Sequence, residues 1–374
     1  MLTDYLTNIA EAIREKEGSA TTIPALDYPA RIRALSGGSG LWRKLNNPAA
    51  LPPNTGNGAA LTVHNDVLYC AVAHSNTPFL TTYRMANGSW QKINNPAGLP
   101  VGSGNDVALT VYDDELYLAV AQSSTPFLST YRMVNGSWQR INNPTTLPTG
   151  TGNGAALAVY DNVLYCTVAH AITPFLTTYR LVSGLWQKIN NPADLPAGLG
   201  RGAALTVYDD ELYLAVAHNT TPFLTTYRLI GGLWQKINNP TRLPPNSSAG
   251  AALAVYDNVL YCAVAHNTTP FLTTYRLIGG LWQKITDPHG LPSSTGNGVA
   301  LTVYNNALRL AVAHSTTPFF TPYILESGGW RRLADPDVPP TGTGNGAACC
   351  VHNGTLYTAV AHSNTPFITT YSDK

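Results

Sequence analysis

Charge is scarce in this chain. Of its 374 residues only 11% are Asp, Glu, Lys or Arg, and 22 basic residues nearly balance 21 acidic ones. Ordinary globular domains carry about a quarter of their residues as charge. The shortage excludes an electrostatic nucleic-acid binder, which needs clustered positive charge to release counterions. It excludes a disordered polyelectrolyte as well. Long apolar runs are lacking, so no segment is expected to span a membrane as a helix. Cysteine is sparse, and the five present do not form a disulfide framework. Cys70, Cys166 and Cys262 share one repeat position that is Leu118, Leu214, Leu310 and Thr358 elsewhere, so a residue exchangeable with leucine fills space in a core. Cys349 and Cys350 are neighbours whose side chains leave opposite faces of a strand. The odd count, with no secretory leader evident, leads us to expect synthesis in a reducing cytoplasm.

What the chain has in abundance is repetition. Trp42, Trp90, Trp138, Trp186, Trp234, Trp282 and Trp330 lie 48 residues apart, and residues 39–374 number 336, which is seven times 48. Such a period marks an array or a propeller. Each unit offers four strand-like runs; in the second they are Ala108–Tyr112, Glu115–Ala121, Phe127–Met133 and Trp138–Asn142. Asp113-Asp114 and Asn135-Gly136 supply tight turns between them. The run from Leu116 to Ala121 is apolar at almost every position, as a strand covered on both faces must be. The fold expected is all-β: a seven-bladed β-propeller of four-stranded blades, over residues 41–374.

The ends of the array point to how the ring shuts. The first unit opens on a tryptophan strand, 41–46, without inner strands, and the last unit stops after Tyr371 without a tryptophan strand. Residues 41–46 are therefore expected to complete the blade built by 347–371, with Trp42 as the clasp. Ahead of the array, Leu2, Leu6, Ile9 and Ile13 fall at helical spacing, and a second short helix is expected near Asp27 with Pro29 in its first turn. Residues 1–35 are too few to bury a core alone, so this small helical module is expected to anchor or oligomerise, or else to pack on its own propeller. Ser36–Gly40 reads as a flexible linker.

The repeated polar residues are the binding candidates. His74, His170, His218, His266, His314 and His362 end the second strand of their units, and Gln122 stands there in the second. Equivalent positions lie a blade apart, too far to share an ion, so no metal ligand is assigned. Two readings stand: an imidazole bonded to the turn that follows it, or a ligand contact. The turn after the second strand and the long loop before the next first strand should leave one face of the ring together. That rim gathers Asn46, Asn47, Asn76, Asn219, Asn267 and Asn364 with the histidines. A neutral rim of amides and hydroxyls suits a glycan or a protein surface, repeated for avidity. The tryptophans are either sugar platforms or packing between blades. Arg84, Arg132, Arg180, Arg228 and Arg276 read as solvated or stacked surface residues. No nucleophile–base pair, phosphate loop or cofactor motif can be assembled, so no catalytic residue and no cofactor are assigned.

Two resemblances bear on function. The opening from Asn8 through Gly18, with Ile23-Pro24-Ala25 and Tyr28–Ile32, resembles a short N-terminal module of phage and prophage tail or other virion structural proteins. The units, with Asn-Asn-Pro, Gly-Asn-Gly-Ala-Ala, Val-Ala-His and Thr-Pro-Phe, are similar to a WD-like repeat of phage-associated proteins. No Trp-Asp pair closes a blade, so the His–Asp network of standard WD repeats is not carried over. The resemblance implies a virion component, such as a tail fibre, whisker or surface decoration, made in the host bacterium. Its residues 1–35 would contact virion proteins, with homo-oligomers possible through the helices, and its propeller would face a host-surface glycan or protein or a neighbouring virion protein. A free multivalent lectin and an intracellular protein scaffold are the alternatives from the same residues.

Overall fold

A computed structural model describes residues 42–373 apart from His289, Leu291 and Ser293, together with residues 10–12 and 14. Ala10, Glu11, Ala12 and Arg14 are helical. The rest of the expected 1–35 module and the 36–40 linker lie outside the described residues. No described helix is long and apolar enough to cross a membrane.

The strands form seven four-stranded antiparallel sheets, each with its strands in chain order except one. We number the blades I to VII: residues 56–92, 104–140, 152–188, 200–236, 248–284, 296–332, and last 344–373 with 42–44. In blade VII the sheet runs from Gly344–His352 through Thr355–His362 and Ile368–Asp373 to Trp42–Lys44, so the N-terminal strand is the outer strand of the C-terminal blade. Its register pairs Trp42 with Asp373 and Lys44 with Tyr371. The chain closes on itself, and blade VII's third strand is not left as an open edge.

Each second strand is buried on both faces because each face meets a different blade. In Glu115–Gln122, Leu116, Leu118 and Val120 pack with blade I, whereas Tyr117, Ala119 and Ala121 pack with blade III. One such mixed cluster fills every seam around the ring. The hydrophobic core is therefore the set of seams, with no single centre.

Repeated side-chain bonds stitch neighbouring blades at several radii. Near the outside, the Trp186 indole N–H donates to Thr130 Oγ1 of the preceding blade at 2.8 Å, and five other tryptophans repeat this bond. At the far rim, Tyr112 donates to the Asn162 carbonyl of the next blade, and each blade repeats the link, with His64 and His352 in place of tyrosine. Within the blades, the Tyr131 hydroxyl donates to the Gly98 carbonyl at 2.8 Å, fixing the long incoming loop against the third strand.

The first and outer strands differ from their expected bounds. The second blade's first strand runs Gly104–Tyr112, four residues longer than expected at its start, because a β-bulge at Gly104/Asp106 lets the sheet continue to the channel. The outer strand is Ser137–Arg140 and ends earlier, and the closing strand is only Trp42–Lys44. Gly200 starts the first strand of blade IV under tight contact: an added Cβ would sit 2.6 Å from the Phe175 carbonyl oxygen of blade III. Only glycine lets neighbouring backbones approach this closely.

Candidate functional site

The rim takes shape from two chain segments that meet in every blade. The residue after each second-strand histidine donates its backbone N–H to the loop leading into that blade, as Ser75 does to Thr55 at 3.3 Å and Ala171 to Thr151 at 3.0 Å. The same contact recurs in all seven blades. The turn then passes through a cis Thr–Pro bond to a phenylalanine with positive φ, such as Phe79 at 65°. A backbone bond from His74 N–H to the Phe79 carbonyl closes it. The expected convergence of the two segments on one face is thus present as a built surface.

The residues named from sequence divide sharply on that surface. Asn46, Asn47, Asn76, Asn219, Asn267 and Asn364 are exposed. His74, His170, His218, His266, His314 and His362 are fully buried, at 0% exposure. Of the two readings of the histidines, burial favours the imidazole bonded within the fold, while the asparagines are the residues open on the rim. Trp42 lies in the closing strand as expected. The other outer-strand tryptophans are buried between blades, leaving no free face for a sugar.

What the histidines do instead is visible in their bonds. His74 faces the Asn76 carbonyl through Nδ1 at 2.8 Å and the Thr81 hydroxyl through Nε2 at 2.9 Å. A carbonyl only accepts, so Nδ1 carries the proton and Nε2 accepts from the threonine. Gln122 in blade II repeats the pattern with different atoms. Its amide nitrogen donates to the Ser124 carbonyl at 3.1 Å, and its amide oxygen accepts from Ser129 at 2.9 Å. Glutamine has one donor and one acceptor in the places where a neutral imidazole has them. The position therefore holds a neutral strut: His74, His266 and Gln122 tie strand end to turn to third strand, while His170, His218 and His362 bond the third-strand threonine and leave Nδ1 unpaired. Burial enforces the neutral form, lowering the six histidines from 6.5 to about 4.

The axial channel is the second polar surface. Its wall encloses about 140 Å³ and is lined by the residues of the first-strand bulges. Asn57, Asn105, Asn153, Asn297 and Asn345 each donate the side-chain amide to the first-strand carbonyl of the next blade, at 2.7–2.8 Å. Blades IV and V depart, with Arg201 and Ala249 in that place. Asp106 is the other charged lining residue, at a position that is glycine in the other blades. Its carboxylate accepts the Ala155 N–H of blade III at 3.0 Å, while burial raises its pKa from 3.8 to about 6. Neither Asp106 nor Arg201 was singled out from sequence. The signal was there, since each interrupts an otherwise repeated Gly-Asn-Gly-Ala. Among the described residues no group of three or more His, Cys, Asp or Glu is placed to share a metal ion. The buried thiol of Cys70 is pushed up to about 12, away from the reactive thiolate.

No family model and no curated protein matches the chain. It is similar to the solved structure described as "Structure of YjhT", with 12% identity over 77% of this chain and 99% of that one, at a TM-score of 0.49. The propeller itself rests on the strand order and pairing given above.

Proposed function

We propose that this chain is a non-enzymatic, virion-associated phage protein whose propeller binds a host-surface glycan or protein, or a neighbouring virion protein, through its loop rim. Residues 1–35 would hold it to the particle. The observation that carries the binding role is the rim's construction. Exposed turns bearing Asn76 and Asn267 are tied to the third strand by buried histidine struts, and those bearing Asn219 and Asn364 lie over buried histidines bonded to third-strand threonines, all on a closed ring. Rigid presentation lowers the ordering cost of binding, and repetition around a ring multiplies weak contacts. The resemblance of the opening residues to virion modules supports the location.

Two measurements on the full chain test the reading. Fluorescently labelled protein should bind cells of the host bacterium, and joint replacement of Asn76, Asn219, Asn267 and Asn364 by alanine should cut that binding at least about tenfold. The thermal midpoint should stay close to that of the parent, because exposed substitutions shift stability by within about 0.5 kcal/mol. Unchanged binding by the quadruple variant would remove the rim from the proposal. Separately, particles assembled with a chain lacking residues 1–35 should lose the protein on purification; full incorporation would overturn the anchor.

A further inference from the structure

We propose that the outer wall of the ring carries a second kind of site, distinct from the rim: lateral grooves that take an acidic sugar unit, a pyranose ring bearing a carboxylate. Four successive seams, from I/II to IV/V, open into a recess with one lining pattern. In the III/IV groove Tyr165, Arg180, Lys188 and Asn190 of one blade face Leu229 of the next, around about 300 Å³. In the I/II groove the corresponding residues are Tyr69, Arg84, Lys92, Asn94 and Met133, around about 180 Å³. Ligand pockets for drug-sized molecules run to roughly 300–1,000 Å³, so these recesses suit a single ring. A guanidinium beside an ammonium recognises a carboxylate, with the guanidinium able to bind it by two parallel bonds. The amide matches hydroxyls, and in the I/II groove the half-buried Tyr69 and Met133 add an apolar wall for the ring face, whereas Tyr165 and Leu229 form the buried floor of the III/IV groove.

The grooves are not alike in charge, and the difference alternates. In II/III and IV/V, Glu115 and Glu211 stand beside the arginine, pairing Arg132 at 3.7 Å and Arg228 at 3.6 Å. Each glutamate also accepts a hydrogen bond from the groove tyrosine, at 3.2 and 3.1 Å. In I/II and III/IV the residue at that position is Val67 or Val163, and among the described residues Arg84 and Arg180 have no ion pair. Those two grooves keep both cations uncompensated, two sevenths of a turn apart. The rest of the ring lacks the set. The V/VI seam keeps Tyr261 and Arg276, but Lys284 is engaged by Asp287 at 3.0 Å and Thr286 replaces the asparagine; Ile324 stands where the arginine would in blade VI, and Ser372 does so in blade VII. The wall therefore has a cationic arc with two open sites and an arc without them.

Isothermal titration of the full chain with methyl β-D-glucuronide, methyl β-D-glucoside and sodium sulfate tests this. The glucuronide should bind saturably at about two sites per chain, more weakly as salt rises. Replacing Arg84 and Arg180 together by methionine should weaken it at least about tenfold, whereas the same change at Arg132 and Arg228 should leave it within about twofold. Glu115→Val should add a site, and Val67→Glu should remove one. The rim quadruple variant should behave as the parent, so failure of the rim reading and failure of this one are separable. Equal binding of the neutral glucoside, equal binding of sulfate, equal loss in both arginine pairs, or no saturable binding would each overturn the proposal.

Discussion

Two places where the repeat is broken have met with opposite outcomes. In blade II, Gln122 replaces histidine and Ser129 replaces threonine, and the two changes together preserve both hydrogen bonds of the strut. At the VI/VII seam, Pro322 occupies the position whose threonine hydroxyl receives the tryptophan N–H elsewhere, and the buried Trp42 Nε1 has no hydrogen-bond partner among the described residues. The closing seam gains aromatic packing in exchange. Phe320 takes the place of leucine, meets Trp42 edge-on at 5.7 Å and stacks on Tyr371 at 5.5 Å. An aromatic pair adds about 0.5–1.5 kcal/mol beyond its buried area. A buried donor left unpaired costs about 1–3 kcal/mol. The two pairs together, about 1–3 kcal/mol, are of the same size as that cost, so packing offsets the missing bond without pairing the indole N–H. The break inside a blade is repaired bond for bond, whereas the break at the junction of the two chain ends is answered by packing alone and leaves the indole N–H unpaired.

The strut makes the largest prediction, because it is repeated. The folded imidazoles sit at about 4 and an exposed imidazole at 6.5, so between these values the unfolded chain binds more protons. Their contribution is fully present above pH 6.5 and is lost as pH falls through 4. Each histidine removes up to about 1.4 kcal/mol per pH unit within that window, so six together remove up to about 8. Asp106 and Asp373, whose pKa values are both raised by burial, oppose this, contributing stability at low pH that is lost as pH rises, for Asp106 through about 6. Chemical denaturation followed from pH 7.5 to 4.5 should show a steep fall below pH 6.5. A flat profile down to pH 4.5 would sink the neutral-strut account.

The closing strand gives the next effect. Trp42→Ala and Trp186→Ala each delete a buried indole, a loss of about 3–5 kcal/mol. In blade III the outer strand stays tethered through the turn at Ser183-Gly184 when its tryptophan is gone. The Trp42–Lys44 strand has no such hairpin to the strand it pairs with. Undocking it would also release the Leu45 N–H from Thr370 and the Lys44 N–H from Asp337, and would bare the edge of Ile368–Asp373. Trp42→Ala should therefore lower the thermal midpoint more than Trp186→Ala, even though Trp186 also loses a hydrogen bond. Equal losses would mean that ring closure does not depend on this clasp.

The same two places show what a sequence yields and what it withholds. The period of 48, the seven blades and the closure by Trp42 were legible because they are properties of order along the chain. The burial of the histidines was not. A strand covered on both faces is apolar throughout, so alternation no longer reports which way its last residue points. The Gln122–Ser129 exchange did carry that information, seven residues apart in one blade. The Pro322–Trp42 pairing was harder to see, since the partners are joined only once the ring is closed. The channel residues Asp106 and Arg201 and the alternation of Val67 and Glu115 beside the groove arginines were printed in the repeat. Their meaning depends on which blades face each other.

A smaller effect separates the strut from simple burial of a histidine. His218→Ala leaves the Thr225 hydroxyl without the ring it contacts at 2.9 Å, and should cost at least about 1–3 kcal/mol. Joining His218→Gln to Thr225→Ser copies the pair already present in blade II, and should cost less than the alanine change at pH 7.5. It should also remove one histidine's share of the acid sensitivity, so the double variant gains on the parent as pH falls from 6.5 toward 4. If the double variant were as destabilised as His218→Ala at pH 7.5, Gln122 would have to be explained by something local to blade II.

The smallest change addresses the unpaired Trp42 indole directly. Pro322 lies in the third strand of a four-stranded blade, Phe320–Glu326, an interior place where proline is seldom found because it removes a ladder donor. Its carbonyl already accepts the Leu333 N–H at 2.9 Å, as the equivalent threonine carbonyl accepts Ile189 in blade III. The backbone course is therefore that of the other blades, and threonine can be placed without redirecting it. Pro322→Thr should give the Trp42 indole the hydroxyl that its counterparts reach at 2.8–2.9 Å, with a gain of about 0.5–1.5 kcal/mol. The gain has to depend on Trp42 if that is its origin. In a Trp42→Phe background, which has no N–H to satisfy, Pro322→Thr should yield less. An equal gain in both backgrounds would assign the effect to relief of proline in the strand, and would leave the orphaned indole as a feature the closing seam tolerates at little cost.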